Sequence, residues 1–343
     1  MPAPTLESTL TRAWLRRGPL ACALWPLSLA FRALSGLRAL LFRAGLLQSH
    51  KLPVPVLVVG NIFIGGTGKT PLTIWLAETL RAAGFTPGII SRGHGGDGAA
   101  PRAVTGDALA AEVGDEPLLM ARRTGCPVMV GRDRPAAGRA LLAAHPDVDV
   151  LISDDGLQHY ALQRDIEIVL FDGRGAGNGW LLPAGPLREP VSRRRDFTVV
   201  NTPLLTPQLA ANVGGAPFRM QLAGTVAERM MQRSERIPLA GLAGQRIAAA
   251  AGIGNPGRFF AMLRGQGLAF AELPLPDHHD FRDQPFAQLD ADIILVTEKD
   301  AVKCGQIEHL KNDPRLWVVP VTAQLDGALA EQIVEKCRGC STA

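Results

Sequence analysis

Short apolar runs alternate with longer amphipathic stretches along most of the chain. Residues 54–59 form a continuous, β-branched apolar run, which predicts a buried strand, and a glycine-rich loop and a helix over 69–83 follow it. Further strands are predicted at 88–90, 128–130, 148–152, 166–171 and 198–200, with helices such as 116–123 and 135–143 between several of them. This alternation predicts an α/β fold with a parallel sheet covered by helices on both faces.

A second, smaller α/β unit is predicted to begin near 217–244. Its strands are expected at 246–250, 269–273, 293–296 and 317–319, with a helix after Pro256. The predicted organisation is therefore an N-terminal helical segment over 1–50, a first α/β domain over 51–216 and a C-terminal domain over 217–343.

The N-terminal segment predicts contact with a membrane surface. Residues 18–31 carry no charge. As a helix they would extend about 21 Å, which is short of the roughly 30 Å of hydrocarbon in a bilayer. Pro19 and Pro26 are expected to interrupt them. Over 32–43, arginines alternate with leucines and a phenylalanine at helical spacing, which suits a helix lying in the interface. Two alternatives are a helix hairpin packed on the body of the protein and a cleaved signal peptide.

Charge is distributed unevenly over the 343 residues. The net charge is +4, but seven basic residues up to Lys51 face a single acid, Glu7, so the remaining chain is mildly acidic. This balance argues against a nucleic-acid-binding surface spread over the whole protein. The five cysteines are scattered and odd in number, which does not suggest a disulfide framework, and no role follows for Cys337 and Cys340.

The glycine-rich loop has the sequence of a phosphate-binding loop between a strand and a helix. Glycine N–H groups and the helix N-terminus would bind phosphate oxygens, Lys69 would add a positive charge, and the Thr70 hydroxyl would bind Mg²⁺. Phe63 stands where the strict pattern has glycine. The predicted nucleotide-binding residues are Phe63, Ile64, Gly65, Gly66, Thr67, Gly68, Lys69 and Thr70.

Two acids, Asp154 and Asp155, follow the apolar run at 148–152. At the carboxyl end of a parallel strand beside a phosphate loop, one of them would hold Mg²⁺ directly or through water. The sequence leaves open which one does so. A helix cap or turn is the alternative.

Phosphoryl transfer to a hydroxyl needs a residue that orients the acceptor and takes its proton. Asp115 and Glu116 lie at a predicted helix start, where plain capping is the alternative. His278 and His279 lie in a loop rich in titratable groups, and a histidine there could pair with a catalytic acid across a cleft.

Seven motifs in this order resemble the tetraacyldisaccharide 4'-kinases of lipid A biosynthesis, and the resemblance extends from about Trp14 to about Lys303. The motifs lie at 60–70, 91–96, 114–117, 154–159, 183–190, 276–281 and 297–301. The family also lacks the strict glycine at the Phe63 position, whereas His94 stands where the family is expected to have tyrosine.

The resemblance implies a two-domain P-loop kinase with a membrane-associated N-terminal helix, acting with ATP and Mg²⁺ at the cytoplasmic face of the inner membrane. Its substrate would be an acylated glucosamine disaccharide 1-phosphate lipid, with no nucleic acid and no obligate protein partner. It implies Asp115 as the general base, His278 as its partner, and Lys69 as a catalytic residue. Site-shaping roles are implied for Glu116, Gln158, His159, Arg188 and Glu189.

Two other functions remain open from the sequence. A membrane-associated regulatory NTPase switch would also have a phosphate loop, an acidic strand end and an amphipathic helix. However, residues 297–300 do not fit the guanine-reading spacing, because Lys299 is adjacent to Asp300. The other function is that of a soluble small-molecule kinase whose N-terminal helices pack on the body of the protein.

Overall fold

The computed structural model describes residues 11–93 and 100–340. The helices are α1 Pro19–Arg43, α2 Lys69–Ala82, α3 Ala110–Val113, α4 Asp115–Thr124, α5 Arg134–Ala144, α6 Pro207–Val213, α7 Pro256–Gly265, α8 Glu298–Cys304, α9 Glu308–Lys311 and α10 Gly327–Arg338. The strands are β1 Val56–Gly60, β2 Pro87–Ser91, β3 Arg102–Ala103, β4 Val128–Val130, β5 Val150–Asp154, β6 Ile166–Asp172, β7 Phe197–Asn201, β8 Phe218–Ala223, β9 Val226–Arg229, β10 Arg236–Pro238, β11 Ile247–Ala251, β12 Ala271–Pro274, β13 Ile293–Thr297, β14 Leu316–Val319 and β15 Thr322–Leu325.

The larger sheet confirms the predicted parallel α/β fold. In the described part of the chain its strand order is β15-β8-β7-β6-β1-β5-β2-β4-β3. The strands from β8 to β4 run parallel, and only the edge strands β15 and β3 pair antiparallel. Strand β1 lies at the centre and is buried along its whole length, because helices cover both faces of the sheet.

The smaller sheet has the order β10-β9-β14-β13-β11-β12 over the described residues. Its strands β12, β11, β13 and β14 are parallel, whereas β9 and β10 complete it antiparallel. The strands predicted at 246–250, 269–273, 293–296 and 317–319 all lie here.

The division between the two sheets does not coincide with the predicted boundary after residue 216. Strand β8 adds to β7 in the larger sheet, and β15 returns from the end of the chain to pair with β8. Helix α10 packs its apolar residues into the core of that same layer. The sequence did not indicate this return, because short edge strands carry little information about their partner.

Helix α1 corrects the prediction that prolines interrupt the N-terminal segment. Pro19 lies in the first turn, where its missing N–H costs nothing, and the helix continues through Pro26 for 25 residues. By length and composition it is long and apolar enough to cross a membrane. Only 11% of its most apolar 18 residues are buried inside the protein.

Helix α1 is attached to the body by a few specific contacts. The Ser28 hydroxyl donates to the Leu181 carbonyl at 2.8 Å and accepts from the Ala184 N–H at 2.9 Å. Just before the helix, the Trp14 indole N–H donates to the Pro183 carbonyl at 2.9 Å. One narrow face of the helix therefore packs on the loop that leads to Arg188 and Glu189.

Candidate active site

The phosphate loop lies between β1 and α2, at the carboxyl end of the central strand. Gly65 and Gly68 adopt φ values of 99° and 100°, which side chains with a Cβ rarely adopt. At Gly68 a Cβ would also lie 2.6 Å from the Asn201 Nδ2. Phe63 needs no such freedom. Its ring is buried, and the Arg174 guanidinium stacks over it at 4.2 Å.

Two asparagines, one just after β1 and one at the end of β7, hold the loop. The Asn61 Nδ2 donates to the carbonyls of Phe63 and Gly65 at 2.6 and 2.8 Å, and its Oδ1 accepts from Lys69 at 3.1 Å. The Asn201 Nδ2, at the end of β7, donates to the Thr67 carbonyl at 2.9 Å. These bonds fix the loop so that its N–H groups point to one place.

Asp154 and Asp155 end β5 next to the loop. The Asp154 carboxylate accepts from the Thr73 hydroxyl at 3.2 Å and from the Ser91 hydroxyl at 3.3 Å. The Asp155 Oδ1 lies 3.6 Å from both Lys69 Nζ and Arg188 Nη1. The predicted acids and Lys69 therefore meet at the carboxyl edge of the sheet, where ligands of such sheets bind.

The two acids differ in their electrostatic surroundings. Burial, with the negative charges of Glu116 and Asp155, raises the pKa of Asp154 to about 6. Burial also acts on Asp155, but Lys69 and Arg188 outweigh it and hold the pKa of Asp155 below its usual value. Two neighbouring carboxyl groups whose pKa values are shifted in opposite directions are characteristic of functional sites.

Asp115 and His278 meet although they belong to segments associated with different sheets. Asp115 is buried at the start of α4, and its Oδ2 lies 3.0 Å from His278 Nδ1. His278 adopts a φ of 60° in the loop after β12, which turns its ring toward α4. Burial would raise the pKa of Asp115, but the His278 hydrogen bond, Lys299 and Lys303 together depress it well below its usual range. The same hydrogen bond raises the pKa of His278.

Two lysines of α8 face the start of α4. Lys299 Nζ lies 2.9 Å from Glu116 Oε1 and 3.2 Å from Asp277 Oδ1. Lys303 Nζ lies 3.3 Å from Asp115 Oδ2. Neither lysine was among the predicted site residues, although Lys299 belongs to the motif at 297–301.

The four remaining predicted site residues lie on the other side of Asp155. Arg188 approaches the Gln158 Oε1 at 3.4 Å, and the Gln158 Nε2 donates to Glu189 Oε1 at 2.8 Å. Burial, with Arg134 and Arg92 nearby, lowers the pKa of His159 to about 4, so this imidazole is neutral at physiological pH. Gln158, Arg188 and Glu189 thus form one connected group beside the acids.

A cavity of about 550 Å³ separates the phosphate loop from the smaller sheet. The loop residues line one side with Glu116, Asp277 and Lys299, and apolar side chains such as Ile253, Phe259 and Met262 line the other. The volume and mixed lining are those of a small-molecule site.

Arg258 bridges this cavity and was not predicted. Its Nη2 lies 2.7 Å from the buried Asp172 Oδ2, and its Nη1 approaches the Thr67 carbonyl at 3.4 Å. Asp172 ends β6 and Asn201 ends β7, so the rule that parallel strands present site residues at their carboxyl ends could have found both. Nothing in the sequence pointed to Arg258, because its partners lie far away along the chain. His94 falls outside the described residues.

A parallel sheet with a central phosphate loop, a lysine, paired acids and an acid-histidine pair across a cleft defines a P-loop kinase. The model of the family described as Tetraacyldisaccharide-1-P 4'-kinase matches residues 20–338. The chain belongs to this family, as the sequence motifs predicted.

Individual relatives agree with the family match. The chain is 64% identical to "Tetraacyldisaccharide 4'-kinase" of Janthinobacterium sp. (strain Marseille), with 98% of each chain covered. It is 62% identical to the protein of the same name from Herminiimonas arsenicoxydans, with 99% of this chain and 98% of the relative covered. Among solved structures, LpxK from Aquifex aeolicus in complex with ATP matches with a TM-score of 0.75 and 30% identity, over 92% of this chain and 99% of that one.

Proposed function

We propose that this protein transfers the γ-phosphate of ATP to the 4'-hydroxyl of tetraacyldisaccharide 1-phosphate, forming lipid IVA in lipid A biosynthesis. One observation carries the assignment. The cavity that the phosphate loop lines also reaches Glu116, Asp277 and Lys299, the immediate neighbours of the Asp115–His278 pair. The cavity beside the phosphate loop therefore extends to the neighbours of the proposed proton acceptor, in a chain whose relatives are named for this reaction.

In the proposed mechanism Asp115 takes the proton of the acceptor hydroxyl. It is ionised at neutral pH, as a base must be, because His278 and the α8 lysines favour its charged form. His278 donates from Nδ1 to Asp115 and fixes the carboxylate orientation. Lys69 and the loop N–H groups bind the phosphates and the negative charge that develops during transfer.

The residues present suit a magnesium ion. Thr67 Oγ1 and Asp155 Oδ1 are buried and lack a hydrogen-bond partner among the described residues. Asp154 retains a raised pKa beside two further acids, so a divalent cation would relieve their repulsion. Thr70, Asp154 and Asp155 would hold Mg²⁺, which would neutralise phosphate charge when bound. Glu116, Gln158, His159, Arg188 and Glu189 are proposed to shape the acceptor site.

Family membership and the Asp115–His278 pair favour the kinase over a regulatory NTPase switch, because a switch needs no proton acceptor for a second substrate. The test is transfer of radiolabelled γ-phosphate from Mg²⁺ATP to tetraacyldisaccharide 1-phosphate in detergent micelles, with the product separated by chromatography. We expect label on the lipid. ATP hydrolysis without labelled lipid would support the switch or another acceptor.

We propose that α1 binds this lipid-bearing membrane at its cytoplasmic face. Leu34, Leu37 and Leu40 are 70%, 52% and 58% exposed, so they do not pack on the body. They lie between Arg32, Arg38 and Arg43, which suit anionic headgroups. A soluble enzyme with packed helices would bury these leucines.

Replacing Leu34, Leu37 and Leu40 together by glutamine should lower binding to anionic vesicles by at least about tenfold, because each leucine contributes roughly 1.5–3 kcal/mol when buried in apolar surroundings. Glutamine keeps the helix propensity high. The measurement is vesicle co-sedimentation. The matched control replaces Leu109, Leu204 and Met231, which are exposed elsewhere, by glutamine and should bind normally. Unchanged binding of the α1 variant would overturn the anchor.

A further inference from the structure

Lys303 is a nearly buried cation that pairs with Asp115 Oδ2, and its charge also acts on the buried Asp300 of the same helix. Its side chain is 13% exposed, and its Nζ makes no hydrogen bond of good geometry to any residue in the described ranges. The closest anionic oxygen is Asp115 Oδ2 at 3.3 Å, and the Phe281 ring lies 5.6 Å away on another side. A buried ammonium is costly unless a carboxylate balances it, so this placement needs a reason.

Packing of α8 against α3 and α4 sets the position of Lys303. Val302 on α8 packs into an apolar cluster with Val113 and Leu118. One turn along the chain, the Gln306 side chain accepts from the Ala110 N–H and donates to the Ala108 carbonyl, both at 3.0 Å. Helix α8 is therefore held against α4 by contacts that do not involve the lysines.

Asp115 uses its two oxygens differently. Oδ1 accepts a hydrogen bond from the Glu116 N–H at 2.9 Å. Oδ2 lies 3.0 Å from His278 Nδ1 and 3.3 Å from Lys303 Nζ. Lys299, one turn before Lys303 on the same helix, is occupied by Glu116 and Asp277. Among the described residues, the charged groups facing Asp115 are therefore His278, Lys299 and Lys303, with Glu116 beside it on α4.

We propose that Lys303 is a positioning residue for phosphoryl transfer, whose ammonium, 3.3 Å from Asp115 Oδ2, orients the Asp115 carboxylate together with His278. The inference rests on the proposed role of Asp115 as the base. Helix α8 follows β13 of the smaller sheet and places the Lys303 charge beside the residue that accepts the proton. The smaller sheet would therefore take a direct part in the reaction. Lys303 does not line the cavity beside the phosphate loop.

The sign of the expected pH effect follows from the charge. Lys303 lowers the pKa of Asp115, so its removal raises that pKa, and the carboxylate is protonated at a higher pH. Activity requires the ionised form and is lost as pH falls through the Asp115 pKa. Lys303→Met should therefore lose activity at a higher pH than the wild type on acidification, although His278 and Lys299 continue to lower the Asp115 pKa.

The experiment measures kcat and the KM for ATP in lipid phosphorylation at neutral pH for the full-length protein, Lys303→Met and Lys303→Arg. We expect kcat of Lys303→Met to fall about tenfold with the KM for ATP nearly unchanged, and Lys303→Arg, which keeps the charge, to restore the wild-type kcat. Lys311→Met, a change at an exposed lysine, is the control. If Lys303→Met does not fold by circular dichroism, Lys303→Gln replaces it.

The outcomes separate this inference from the proposed function. A Lys303→Met protein with the wild-type kcat overturns the positioning role while Asp115→Asn remains inactive. Equal losses of kcat in Lys303→Met and Lys303→Arg would show a packing role only and also overturn it. If Asp115→Asn itself keeps full turnover, the proposed base fails and the positioning role fails with it.

Discussion

Asp115→Asn should lower kcat for lipid phosphorylation by about a thousandfold and change the KM for ATP by less than about threefold. Asparagine preserves the shape but cannot accept the hydroxyl proton, and general bases contribute typically 10²–10⁴-fold. The loss corresponds to about 4 kcal/mol of transition-state stabilisation. His278 and Lys303 converge on Asp115 Oδ2, away from the phosphate loop, so the nucleotide contacts should survive.

The measurement is steady-state turnover at varied ATP and saturating lipid, together with ATP binding by calorimetry. Asp283→Asn is the matched control, because Asp283 is 65% exposed and pairs only with His279 among the described residues. The control should keep wild-type turnover. An equal loss of ATP affinity and turnover in Asp115→Asn would instead identify Asp115 as a nucleotide or metal residue.

Lys69→Met should damage both ATP binding and turnover, with kcat reduced by about 10²–10³-fold, as expected when one preorganised charge on the transferring group is removed. Lys69 is held by Asn61 Oδ1 at 3.1 Å and by Asp155 at 3.6 Å, and the other cation paired with Asp155 in the described part of the chain is Arg188 rather than a second lysine. Its loss also leaves Asp155 without one of the charges that lower its pKa.

Calorimetric titration with ATP and the radiolabel assay measure the two effects separately. Lys51→Met, at an exposed position at the start of the first domain, should behave like the wild type. Normal ATP affinity in Lys69→Met would contradict the proposed contact with the phosphates, and normal turnover would contradict its catalytic role.

Most strands and helices could be predicted because their apolar runs are long enough to bury a strand on both faces. Residues 54–59 and 166–171 are such runs, and the structure has β1 and β6 there. The phosphate loop and the acids at 154–155 were also predictable, since both are local sequence features attached to strand ends. The path of α1 was not predicted. Pro19 lies in the first turn, where its missing N–H costs nothing, and the helix continues through Pro26 although an interior proline removes a hydrogen bond.

The chain's own sequence determined the α/β class, the phosphate loop, the acidic strand end and the charged N-terminal segment. Each depends on residues within about twenty positions of one another, so periodicity and spacing suffice. Only the tertiary structure decided that β8 and β15 join the larger sheet, that Arg258 meets Asp172, and that Lys303 meets Asp115. These contacts join segments far apart in the chain, and their free energies depend on burial and geometry that no local pattern encodes.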